Sequence, residues 1–305
     1  MSIEVLSLCA AIACLAVATV VQTASDVRSA ARSGRCWYAV PLRRGANVHQ
    51  AAVWAALFCA LAALGSISVR RGEWPLTAAA EVAVASAASA LLWRLLHRRR
   101  NGHRFASPLL YVLTAGLLSW PMLLRAHSLD TWLQPWSFFS NLLLALAFGA
   151  FVEAGSSALA NLLFDWRGKR GGTVARETVD VAEPEEQKWK AAQFRPTDGG
   201  TGQSASQPGF ALLTASLLIR AVVGQYTRGI PWSWSALESW QAILLLWYAI
   251  HWCAFVLLGS GTPPLGLRPP GRTASRSGGG RRGLLWTLET LGLVLTFVTL
   301  SMMGR

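Results

Sequence analysis

The chain has 305 residues, 53% of them hydrophobic and only 14% charged, with a formal net charge of +13. Soluble domains carry about 25% charged residues, so this composition, with a mean hydropathy of +0.37, excludes an ordinary soluble domain and points to a membrane protein. The positive charge does not mark a nucleic-acid binder, because the Arg residues sit in short loops between apolar segments, where they set topology.

A bilayer core takes about 20 apolar residues per helix. Eight such segments are predicted: Ile3 to Thr23, Gln50 to Ile67, Leu76 to Leu96, Pro108 to Leu124, Ser137 to Phe164, Phe210 to Val223, Leu237 to Leu258 and Leu284 to Met302. The expected fold is therefore an all-α integral membrane protein, one polytopic domain over residues 1–305, with about eight transmembrane helices. The first segment lacks the basic flank and small-residue cleavage site of a signal peptide, so it reads as a retained helix. The five Cys (Cys9, Cys14, Cys36, Cys59, Cys253) form no C-x-x-C pair, which argues against a disulfide framework, a thiol redox site and a zinc site.

The loops alternate in charge. Arg28 to Arg44, Arg98 to Arg104, Arg167 to Arg195 and Arg268 to Arg282 bracket four basic connections, whereas the others carry only Arg70 and Arg71, then Arg125, then Arg228. By the positive-inside rule the four basic loops are cytoplasmic, and both termini lie on the outer face. The 165–209 loop, with its Glu183-Pro184-Glu185-Glu186 run, reads as a disordered cytoplasmic segment, and the basic 259–283 loop reads the same way. Both sit where they meet anionic membrane lipids.

Polar groups inside apolar helices need a reason. Glu81, Glu153, Arg220 and Glu289 are such groups, and two readings stay open for them: a proton path or ligand site, or snorkelling and internal pairing, such as Arg220 with a Glu. Among the His residues only His251 falls within a predicted apolar segment, in Trp247-Tyr248-Ala249-Ile250-His251-Trp252. It reads either as an axial haem ligand or as a hydrogen-bonded core His. No nucleotide-binding glycine pattern, nucleophile elbow or zincin motif is present.

Between the sixth and seventh segments lies Gly229-Ile230-Pro231-Trp232-Ser233-Trp234-Ser235-Ala236-Leu237-Glu238-Ser239-Trp240, with three Trp in twelve residues. Amphipathic aromatics collect at the membrane interface, so this external segment reads as an aromatic shelf that either anchors the chain or receives a flat ligand.

In the register of Gly229, Trp232, Trp234, Glu238 and Trp240, continued by Tyr248-Ala249-Ile250, the segment resembles the tryptophan-rich WWD motif of the CcsA-type cytochrome c assembly proteins. Gly72-Glu73-Trp74-Pro75-Leu76, with Glu81 beyond, is similar to a second motif of that family. The resemblance implies a haem-handling protein of cytochrome c biogenesis in the bacterial inner membrane, binding haem b and presenting it to apocytochrome c outside. It implies that Trp232, Trp234, Trp240 and Glu238 contact the cofactor and that His251 is the axial candidate on the haem iron. A CcsB-like membrane partner and a thiol-reducing system would work with it, as part of a haem–cytochrome c ligation (synthetase) system. The chain departs from the family at Arg228 (Trp there), at Ser235-Ala236 (Asp-Pro) and at Asn141 and Cys253 (both His). These departures keep a second reading open: a ligand-depleted scaffold, either an accessory subunit of a respiratory or photosynthetic complex or a regulator of haem synthesis.

Overall fold

The computed structural model describes residues 3–33, 43–71, 76, 78–97, 106–123, 134–175, 203–259 and 278–303. The described residues form eight helices: α1 (Ile3–Ser33), α2 (Arg43–Arg71), α3 (Ala79–His97), α4 (Ala106–Leu123), α5 (Gln134–Ala175), α6 (Gln203–Arg228), α7 (Ala236–Gly259) and α8 (Gly278–Met303). Each matches one predicted apolar segment, although α3 starts at Ala79, three residues inside its segment, and α4 ends at Leu123. Seven are long and apolar enough to cross a membrane, which makes the chain an all-α integral membrane protein. In α4 the apolar stretch Pro108–Ser119 is shorter. Its whole helix of 18 residues nevertheless measures about 27 Å, close to a hydrocarbon core of about 30 Å.

The helix ends depart from the apolar boundaries. α5 runs on through polar sequence to Ala175, and α6 begins at Gln203, so helix enters the 165–209 segment from both sides. Helical hydrogen bonds are local and do not stop where hydrophobicity stops. The rest of that loop, Gly72 to Pro75, His103, His127 and most of the basic connections lie outside the described residues.

α5 is the centre of the bundle, packing against α3, α4, α6 and α8, and 78% of its span is buried against 22% for α7. Small residues allow this. Lipid tails are as apolar as Leu, so helices in a bilayer associate by close packing of small side chains. The α1–α2 pair meets over Ala11, Ala18, Ala56, Ala60 and Ala63, all fully buried. At Gly149 of α5 the approach is closest: a Cβ there would sit 2.6 Å from the Ala90 backbone nitrogen of α3. Larger groups fill the far side, where the Tyr248 ring of α7 stacks on Phe151 at 3.7 Å with an interplanar angle of 10°.

Two groups of buried polar residues lie along α5. Ser140 and Asn141 lie near its start; Glu153 lies about 18 Å further along the axis from Asn141. At the second group, near the middle of α5, Arg94 of α3 places Nη1 at 3.6 Å from Glu153 Oε1. Glu289 of α8 is buried within range of the Glu153 charge and of the Ser206 hydroxyl. Of the two readings open for Glu153, internal pairing is met, with Arg94 as the partner. At the start of α1, Glu4 pairs with Arg70 of α2 at 2.8 Å, which fixes α1 and α2 as antiparallel.

Candidate functional site

The Trp-rich segment forms by a stop, a turn and a restart. α6 stops at Gly229, whose φ of +72° is left-handed and whose amide donates to Gln225 O at 3.0 Å. A glycine after the last helical residue makes this turn without a Cβ clash. α7 restarts with an N-cap: the Ser235 hydroxyl accepts from the Glu238 amide at 3.3 Å, three residues on. The Glu238 side chain then reaches back. Its Oε2 accepts from the Ser233 amide at 2.8 Å and the Ser233 hydroxyl at 2.7 Å, and Arg228 lies 3.4 Å from Oε1.

One carboxylate therefore ties the end of α6, the middle of the segment and the first turn of α7. The α7 N-terminus also favours a negative charge there. Trp232 turns inward, half-buried, with its ring nitrogen buried and unpartnered. Trp234 turns outward, 77% exposed, from a backbone φ of +54° that is costly for a residue with a bulky side chain. The two rings meet edge to face at 6.2 Å.

Beneath the segment, between α5, α6 and the start of α7, is a cavity of about 500 Å³. Its walls include Trp136, Ile219 and Val223, and its polar lining includes Ser140, Asn141, Arg220, Arg228 and Glu238. Arg220 donates from Nε to Ser140 Oγ at 3.1 Å and from Nη2 to Asn141 Oδ1. Asn141 is held from its other side, its Nδ2 donating at 2.7 Å to the carbonyl of Leu76, which has a φ of +70°. Ser140 and Ser216 exchange bonds, the Ser216 hydroxyl donating to Ser140 O at 2.8 Å. A continuous polar chain thus runs from the approach to α3, across α5, to α6.

The structure brings Trp232, Trp234 and Glu238 together. Trp240 follows two residues after Glu238 on α7, half-buried. His251 is elsewhere: thirteen residues after Glu238 on the same helix, it lies about 20 Å further along the axis. It is buried, with its ring perpendicular to that of Tyr248 at 6.4 Å. Glu81 caps α3, accepting from the Ala78 amide at 3.4 Å. Sequence reasoning singled out Arg220 and Asn141 separately, but not their contact or the Leu76 carbonyl. No local signal carries either, because the pairing depends on how three helices register.

Against protein-family models, curated proteins and solved structures, the chain matches none.

Haem as a ligand can be tested against these residues. Aromatic edges and arginines suit the ring and the carboxylates of a tetrapyrrole. The described cavity lining contains no His, Cys or Met, so it supplies no iron ligand. The site fits the periphery of haem better than its iron.

Proposed function

We propose that this is a CcsA-like membrane protein of cytochrome c biogenesis, which receives haem at the Trp-rich segment and presents it outside the membrane to apocytochrome c. The observation that carries this reading is the exposed Trp234, held by the Glu238–Ser233 tie at the mouth of a cavity containing Arg220 and Arg228. The substrate ring would lie against Trp232 and Trp234, with Glu238 fixing the segment and an arginine meeting a propionate. His251 is the axial candidate that the resemblance implies, and it lies about 20 Å along α7 from Glu238. The proposed setting is the bacterial inner membrane, with the segment and both termini outside, beside a CcsB-like partner. Charge alternation of the loops supports that orientation.

The test is the absorption spectrum of the purified full chain in detergent after haem is supplied, repeated on Trp234→Ala and His251→Ala. A Soret band weakened by Trp234→Ala supports the reading, and no band at all in the parent chain overturns it. A band unchanged in His251→Ala removes that residue as the ligand.

One observation favours the second reading, a scaffold without haem chemistry. Asn141 stands where the family has a His, and both ends of its amide are engaged, by Leu76 and by Arg220. Co-purification with a multi-subunit complex, together with intact c-type cytochromes after deletion of the protein, is the outcome expected of a scaffold.

A further inference from the structure

We infer that the cavity floored by Ser140, Asn141 and Arg220 binds the oxyanion head of a membrane amphiphile, a phosphate or a carboxylate, whose apolar part lies along α6. The inference does not depend on haem.

Arg220 lies eight residues before the end of α6, about 12 Å inside the span. A cation at that depth is costly and is kept where it lines a cavity or meets polar partners. Arg220 does both. Ser140 and Asn141, each nearly fully buried, receive its Nε and Nη2 and fix the plane of the guanidinium. Asn141 is itself oriented by the Leu76 carbonyl, so the floor is set before any ligand arrives. A guanidinium of fixed orientation matches carboxylate and phosphate oxygens bidentately. The described cavity lining carries two cations, Arg220 and Arg228, against one carboxylate, Glu238, and so favours an anion. Concave sites of about 300–1,000 Å³ with a few convergent polar groups are the usual form of small-ligand pockets.

The ligand's apolar part follows from the helix surface. Leu218, Val222 and Tyr226 are exposed at a spacing of four, one position before Ile219, Val223 and Thr227 of the cavity wall. On a helix, neighbouring positions are rotated by about 100°, so an exposed apolar stripe borders the cavity. A headgroup on the floor leaves its chain against that stripe.

Native mass spectrometry of the full chain, released from mixed micelles of phosphatidylcholine and phosphatidylglycerol, reads the retained lipid directly. The parent chain is expected to keep phosphatidylglycerol. Arg220→Gln is expected to lower its occupancy about tenfold, as loss of a charge-assisted bond predicts. Arg70→Gln, which alters an arginine paired with Glu4, is expected to keep it. Ser137→Trp fills the cavity while sparing the Arg220 bonds; it should also expel the lipid, and it decides the matter if Arg220→Gln fails to fold. Phosphatidylglycerol retained equally by the folded variants overturns the inference. If no lipid is retained, inorganic phosphate is titrated against the melting curve. Stabilisation of the parent alone keeps the oxyanion site and assigns it to a free ion; stabilisation of both parent and Arg220→Gln, or of neither, overturns it. Lipid retention without a Soret band sinks the haem reading only, whereas a Soret band with neither lipid nor phosphate binding sinks only the present one.

Discussion

Ser233 gives both its amide and its hydroxyl to a single carboxylate oxygen of Glu238, at 2.8 and 2.7 Å, and so hangs the middle of the Trp-rich segment on the first turn of α7. A buried, charge-assisted acceptor is costly to remove. Glu238→Ala is expected to destabilise the chain by about 2–3 kcal/mol, and Glu238→Gln by less, because an amide oxygen still accepts from Ser233. Thermal unfolding in detergent measures the difference. Limited proteolysis should cut within 229–235 only in the Ala variant.

Trp234 separates stability from ligand binding. Its φ of +54° suits glycine, and its side chain is 77% exposed. Trp234→Gly is expected to leave stability unchanged or raise it by about 0.5–1 kcal/mol through relief of strain. Any haem bound at the segment would be lost. A melting temperature that falls by several degrees would show that Trp234 is a packing residue.

The Arg94–Glu153 pair is expected to show strong coupling. Removing one member of a buried pair leaves a charge uncompensated and costs about 3–5 kcal/mol. Glu153→Leu and Arg94→Met should each approach that figure, and the double variant should cost less than either alone. A double-mutant cycle on urea or thermal unfolding reads the coupling, and additive losses would mean the two groups act independently.

Two glycines should respond oppositely to alanine. At Gly149 the new Cβ meets the α3 backbone at Ala90, which cannot move without parting the two helices, whereas Gly116 of α4 faces open space. Gly149→Ala is expected to cost about 1–3 kcal/mol as overpacking does, and Gly116→Ala to be neutral or stabilising by up to about 1 kcal/mol. Expression level and melting temperature report both.

The helices were legible because each apolar run is long and bounded by charge. Leu237 to Leu258, for example, is met by α7 from Ala236 to Gly259. The Trp-rich segment was legible as a unit, and Ser235 and Glu238 carry a local capping signal three residues apart. What sequence did not reveal is non-local. Glu153 stands out in the sequence as a polar group in an apolar helix while Arg94 does not, and only the parallel packing of α3 on α5 joins them. The left-handed Leu76 carries no signal in its residue type, since a Leu is a poor choice for that conformation. His251 sits in register with an aromatic run, yet helical rise alone carries it far from the residues it was grouped with.

The Glu238 tie has a mechanical consequence. Trp232 and Trp234 follow α6 in sequence, but their backbone is clamped to α7, the helix whose span is buried least of the two flanking the segment. Whatever leans on the outer face of α7, a lipid or a second protein, changes its tilt and with it the height and angle of Trp234. The aromatic pair is in effect the pointer of a lever whose long arm lies in the bilayer.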